Sequence, residues 1–142
     1  MVLGIGEGSI EIFLDRNVLR PGEKVTGHVK LSLAQEKEAK GLRILFYGER
    51  KRRKRIERYH EQQISLDGAK TYPAGDHSYP FELVLPDIQR MHDDSGTFVA
   101  GLVNFFGNLF DPINSYKWYF DASLDISMSF DISKKLRVKL VR

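Results

Sequence analysis

Apolar and polar residues alternate along this chain with a period of two, in one run after another. The clearest run starts at Lys24. Val25, Gly27, Val29, Leu31 and Leu33 fall on one side, and Lys24, Thr26, His28, Lys30 and Ser32 on the other. A period of two over that length predicts a strand buried on one face. An earlier strand is predicted over Ser9–Leu14, with Ile10, Ile12 and Leu14 sharing a face. Between the two lies a polar corner closed by Pro21-Gly22, where proline presets the first turn position and glycine supplies the positive φ of a type II turn. After a polar connection at Gln35–Lys40, a third strand is predicted over Leu42–Gly48, with Leu42, Ile44 and Phe46 inward. A weaker fourth covers Tyr59–Leu66 and ends at the turn signal Asp67-Gly68. Pro73-Ala74-Gly75 opens a fifth, in which His77, Tyr79, Phe81, Leu83 and Leu85 share one face. Pro80 lies on the other face and marks an edge or a strand's beginning. Tyr116–Ile126 alternates best of all, and Leu136–Leu140 closes the series. About seven strands, each wet on one face and dry on the other, are antiparallel and must pair their dry faces. The expected fold is all-β, an antiparallel immunoglobulin-like β-sandwich.

The stretch 87–115 breaks the pattern. Within Phe98–Phe110 strict alternation fails. At helical spacing Phe98, Leu102, Phe105, Phe106 and Leu109 make a broad apolar face, while Gly101, Asn104 and Asn108 make a narrow stripe. With Asp94, Ser95 and Thr97 available as N-caps, a short helix is expected in this insertion. Phe98, Leu102, Phe105, Phe106, Leu109 and Phe110 are the candidate apolar interface, a docking or self-association surface. The alternative is that the segment folds back and completes the core. A membrane contact is the lesser reading here, because the stripe lacks the Lys and Arg of interfacial helices.

Composition then narrows the classes. The chain has 142 residues, enough for one domain with a real core. A glycine-rich flexible lead-in is expected over 1–8 and a single domain over 9–142. Gly4, Gly6 and Gly8 precede a strand instead of following one, so they are no dinucleotide fingerprint. The absence of cysteine excludes disulfides, thiolate catalysis and cysteine zinc sites. There is no basic leader and no apolar run of the ~20 residues a membrane-spanning helix needs, so a cytoplasmic protein is expected.

The net charge of +3 conceals an asymmetry. Arg50, Lys51, Arg52, Arg53, Lys54, Arg55 and Arg58 crowd into nine positions with one acid, Glu57, and the remainder of the chain is mildly acidic. The expectation is one local basic patch and no basic face spread over the domain. These seven residues are the candidate anion or partner site, suited to phosphopeptide, anionic lipid head groups or nucleic acid. Nucleic acid is the weakest of the three, since no aromatic residues interleave with the cations as stacking platforms. The plain alternative is a solvated hairpin whose charges protect a sheet edge. His77 and the run His92-Asp93-Asp94 lack metal-ligand spacing. Tyr116, Trp118 and Phe120 sit at strand spacing and are expected in the core. With scattered carboxylates and no nucleophile elbow, Walker loop or HExxH, no catalytic residue, metal or cofactor is expected.

Taken in order, four blocks resemble a known family. Ile10-x-Ile12-x-Leu14-Asp15-Arg16 with Arg20-Pro21-Gly22-Glu23-x-Val25-x-Gly27-x-Val29 resembles the opening of an arrestin N-terminal domain. Lys40-Gly41-Leu42-Arg43 with Gly48-Glu49 resembles its third strand. Ala74-Gly75-Asp76-His77-Ser78-Tyr79-Pro80-Phe81-x-Leu83-x-Leu85-Pro86 resembles its signature edge, and Tyr116–Leu124 a later strand. Arrestin-related trafficking adaptors and the arrestin-fold retromer subunit are similar in kind. Bacterial sporulation-control proteins with arrestin-like domains have an ending similar to Leu124–Asp131. The resemblance implies a cytoplasmic, non-enzymatic adaptor of trafficking or signalling type, binding protein partners. Arrestins carry two sandwiches in tandem and this sequence holds one, so a homo-oligomer supplying the second is a further expectation. The family's phosphate-sensing lysines have no counterpart in Ser9–Leu14, nor is its C-terminal tail matched. Peripheral contact with an anionic membrane through Arg50–Arg58 is the alternative function.

Overall fold

A computed structural model describes residues 8–88, 91–92, 109–127 and 131–142. In chain order the elements are β1 (Gly8–Leu14), β2 (Val18–Leu19), β3 (Lys24–Leu33), β4 (Lys37–Arg52), β5 (Arg55–Asp67) and β6 (Lys70–Tyr72). There follow β7 (Gly75–Val84), β8 (Met91–His92), β9 (Leu109–Phe110), α1 (Pro112–Ser115), β10 (Lys117–Ile126) and β11 (Ile132–Leu140). β1, β3 and β7 form a three-stranded antiparallel sheet with β3 in the middle. The larger sheet runs β2-β11-β10-β4-β5, with β6 also on β4 and the β2–β11 pair parallel. The expected sandwich is therefore present.

The dry faces meet as the period of two requires. Val25, Val29, Leu31 and Phe81 of the smaller sheet pack with Leu42, Ile44, Phe46, Trp118, Phe120 and Leu124 of the larger. Phe46 stacks on Trp118 at 5.5 Å between ring centroids and meets Phe120 at a tilt at 5.1 Å, so these aromatics are core. Pro80 lies on β7, an edge strand of the three-stranded sheet, where a missing N–H breaks no ladder.

The polar corner is a type II turn. Glu23 N donates to Arg20 O at 3.2 Å, and Gly22 takes φ 77°. Gly22 N then donates to Pro86 O and Leu85 N to Glu23 O, tying the start of β3 to the end of β7. An Arg16–Glu23 ion pair at 2.6 Å spans the corner.

Several boundaries differ from expectation. Gln35–Lys40 is not wholly a connection: β4 begins at Lys37, because the short β6 offers it a partner in the Lys37↔Tyr72 to Ala39↔Lys70 register. The third and fourth expected strands run past Gly48 and start before Tyr59, since β4 and β5 continue as a hairpin through the basic run. Leu109 and Phe110 belong to β9, paired with β8, and the described helix is the single turn α1 just after them. Asp111 caps that turn by accepting from Ile113 N, with Pro112 preset at its first position. The other candidate interface residues, Phe98, Leu102, Phe105 and Phe106, lie outside the described residues, as do residues 1–7 of the expected lead-in; Gly8 already pairs with Leu33.

Candidate binding surface

The basic run folds as a two-stranded ribbon. Its register is Arg50↔Glu57, Lys51↔Ile56 and Arg52↔Arg55, closed by the two-residue loop Arg53-Lys54. The neighbouring strand β10 ends its pairing at Lys117↔Glu49. Three residue pairs thus extend beyond it, a reach of about 10 Å at the usual strand rise. Arg53 adopts φ 55°, a left-handed conformation that a two-residue hairpin loop demands and arginine does not favour.

Six of the seven candidate cations divide into two groups. Arg50 is held by Glu57 at 2.9 Å, and its guanidinium lies 4.9 Å over the Tyr116 ring. Arg58 is held by Glu61 at 3.3 Å and lies 4.2 Å over the ring of Tyr47. Burial works to lower the Arg58 pKa, but Glu61, Tyr47 and Glu49 outweigh it and raise it. These two are fixed parts of the sheet. Lys51, Arg53, Lys54 and Arg55 are exposed, and none has an ion pair among the described residues. The side chain of Arg52 is outside the described set.

The fold adds what the linear sequence does not show. Because β10 separates β4 from β11, the outward residues of all three strands share one face. Trp118, Phe120 and Ala122 are buried, so Lys117, Tyr119 and Asp121 face outward. Arg137 stands opposite Tyr119, and Lys139 one step beyond the Trp118↔Val138 pair. Lys51, Lys117, Arg137 and Lys139 are all exposed, and none is ion-paired among the described residues. The expectation of a purely local patch is thus corrected: strand order carries the basic character from the ribbon across the outer face of the larger sheet. Tyrosines do accompany these cations in space, although none interleaves with them in sequence.

At the ribbon's base a cleft of ≈400 Å³ opens between Lys51, Ile56, Ser115, Lys117 and Tyr119. Ile56 is 65% exposed, more than Phe13, Val18 or Val84, the other exposed large apolar residues among the described ones. Its position was readable only as one apolar residue inside a charge run. A second cleft, ≈200 Å³, lies between Lys40, Arg43, Ser65, Asp67 and Asp125. There Lys70 at 2.7 Å, together with the Gly68 N–H, holds the Asp67 carboxyl below its ordinary pKa. His77 Nε2 is 3.0 Å from Pro73 O, a local tie. Among the described residues no three His, Cys, Asp or Glu side chains are placed to hold a metal, and no helix is long and apolar enough to cross a membrane.

No protein-family model matches the chain, and no curated protein matches it in sequence. In structure it is similar to the sporulation control protein Spo0M from Bacillus subtilis, with a TM-score of 0.65 and 16% identity over 94% of this chain and 49% of that one. This chain spans about half the length of the Spo0M chain. At that identity the likeness bears on fold alone, and the fold is an arrestin-like β-sandwich. A superoxide reductase (neelaredoxin) from Ignicoccus hospitalis aligns over 99% of this chain and 88% of its own at 10% identity, but with a TM-score of 0.43 it carries no argument.

Proposed function

We propose that this chain is a non-enzymatic adaptor, an arrestin-like sandwich that brings a protein partner to an acidic surface gripped by the β4–β5 ribbon. One observation carries the reading. Lys51, Arg53, Lys54 and Arg55 stand exposed on a ribbon beyond β10 without described ion pairs, while Arg50 and Arg58 beside them are fully engaged. Cations needed only for the fold would be paired like those two. Clustered, uncompensated Arg and Lys attract anionic surfaces in a salt-dependent way. The outer face of the three-stranded sheet is left for the protein partner, and a second copy of this chain is one such partner. Retention on immobilised heparin tests the ribbon. The intact chain binds and elutes with salt, and the triple variant Arg53→Glu, Lys54→Glu, Arg55→Glu elutes early while keeping its circular dichroism. Equal retention of both would remove the reading.

A further inference from the structure

We infer that the acidic surface is the anionic face of a lipid bilayer, and that Ile56 is the side chain that enters it. The inference rests on the ribbon being the anion-binding element and adds what it meets. Cations alone would suit any acidic partner. Ile56 does not: a largely exposed branched aliphatic side chain gains nothing from a polar anionic surface, and here it sits directly opposite Lys51 in register. A bilayer offers both chemistries within one short depth, anionic head groups for the cations and the acyl boundary beneath them for the isoleucine.

The placement of the charges fits a membrane lying along the outer face of the larger sheet. Ile56 is on the outward face of the larger sheet, the face of Lys51 and Lys117, and Lys117, Arg137 and Lys139 continue the positive charge away from it. Glu49, the acid opposite Lys117 in register, is already neutralised, with Lys135 Nζ 3.3 Å from both its oxygens. A membrane lying along this face meets cations on both sides of one aliphatic anchor.

Vesicle co-sedimentation of the whole chain tests this. Vesicles of phosphatidylcholine mixed with phosphatidylserine should pull the protein down, vesicles of phosphatidylcholine alone should not, and salt should weaken the binding. Ile56→Ser should lower the vesicle affinity about tenfold, the scale of one buried aliphatic side chain, while leaving the ribbon's charge and heparin retention intact. Ile56→Trp should bind at least as well, and its indole emission should shift to the blue on the anionic vesicles. Both substitutions fall on an exposed position, and an unchanged melting midpoint will show that they fold. Retention on heparin without vesicle binding would overturn the membrane inference in favour of an acidic protein and leave the ribbon reading standing. Vesicle binding with an unshifted Ile56→Trp emission would overturn the insertion of Ile56. Retention on neither would remove the ribbon reading itself.

Discussion

Lys135 and Glu49 stand on strands that are not neighbours, yet they close an ion pair across β10, with Lys135 Nζ 3.3 Å from both carboxylate oxygens. On the way the ammonium passes 4.1 Å above the Tyr119 ring and 5.5 Å from that of Tyr47. With Arg58 on its other side, this roof leaves Tyr47 0% exposed although it points away from the core. Burial acts to lower the Lys135 pKa, but its contacts with Tyr47 and Glu49 prevail and raise it.

The roof has separable parts. An exposed ion pair contributes under about 1 kcal/mol, and a cation over an aromatic face roughly 0.5–1 kcal/mol. A double-mutant cycle of Lys135→Ala with Glu49→Gln, read by urea unfolding, should therefore give a coupling below about 1 kcal/mol. Lys135→Ala should cost more than that coupling, because it also uncovers Tyr47. A loss fully accounted for by Glu49 would refute the covering role.

Tyr72 sets an alkaline limit. It is buried on β6, its hydroxyl donates to Gly68 O at 2.7 Å, and burial, aided by Asp67 and Tyr79, pushes its pKa from 10.0 up to about 12. The unfolded chain gives up this proton first, so stability is whole below pH 10.0 and declines as pH rises toward about 12. Tyr47, Tyr59 and Tyr79 are raised too, chiefly by burial, and act in the same direction. Urea midpoints measured through this range should fall. In Tyr72→Phe they should fall less steeply, from a starting stability lower by about 1 kcal/mol for the lost hydrogen bond. Parallel declines in the two proteins would show that Tyr72 is not the group responsible.

Gly48 is required by Trp118. A Cβ at position 48 would sit 2.9 Å from Cη2 and 3.0 Å from Cζ3 of the indole, in the middle of the aromatic stack. Trp118 is 1% exposed, with Phe46 and Tyr59 against it, so it has no room to yield. Gly48→Ala should destabilise the sandwich by about 1–3 kcal/mol, as overpacking does. Combining it with Trp118→Phe, which makes space at its own expense, should show strong favourable coupling. Simple additivity would mean that the clash is relieved elsewhere.

What the sequence shows and hides follows from where dry faces exist. β3 and β10 were legible because each has one face on the core, so burial writes a period of two into Val25–Leu33 and Trp118–Ile126. The ribbon was not, because past Lys117 no described core residue lies beneath Lys51–Arg55 and hydrophobic periodicity has nothing to mark. β2 and β6, of two and three residues, are too short to carry a pattern and exist through their partners, Lys139–Leu140 and Lys37–Ala39. The seven cations of the candidate site were plain in the sequence. Which of them are committed was not, since Glu61 and Tyr47 reach Arg58 through a register shift between Phe46 and Gly48. Nor could the sequence join Arg137 and Lys139 to the ribbon, because that depends on β10 lying between β11 and β4.

The ribbon loop sets stability against binding at a single residue. Arg53 holds φ 55°, and for a residue other than Gly, Asn or Asp the left-handed region costs roughly 1–2 kcal/mol. Directly beneath it the backbone register sets Arg52 opposite Arg55. A sequence selected only for a tight turn with positive φ at its first loop position alone would place glycine there. Arg53→Asn should thus raise stability by roughly 0.5–1 kcal/mol, seen as a higher urea midpoint, while removing one of the exposed cations. If the ribbon grips an acidic surface, the same variant elutes from heparin at lower salt than the native chain. The control is Lys54→Asn, which removes an equal charge from a loop position without positive φ and should weaken heparin binding with no gain in stability. A stabilised Arg53→Asn that binds heparin as tightly as the native chain would mean that the loop's strain is unconnected with binding.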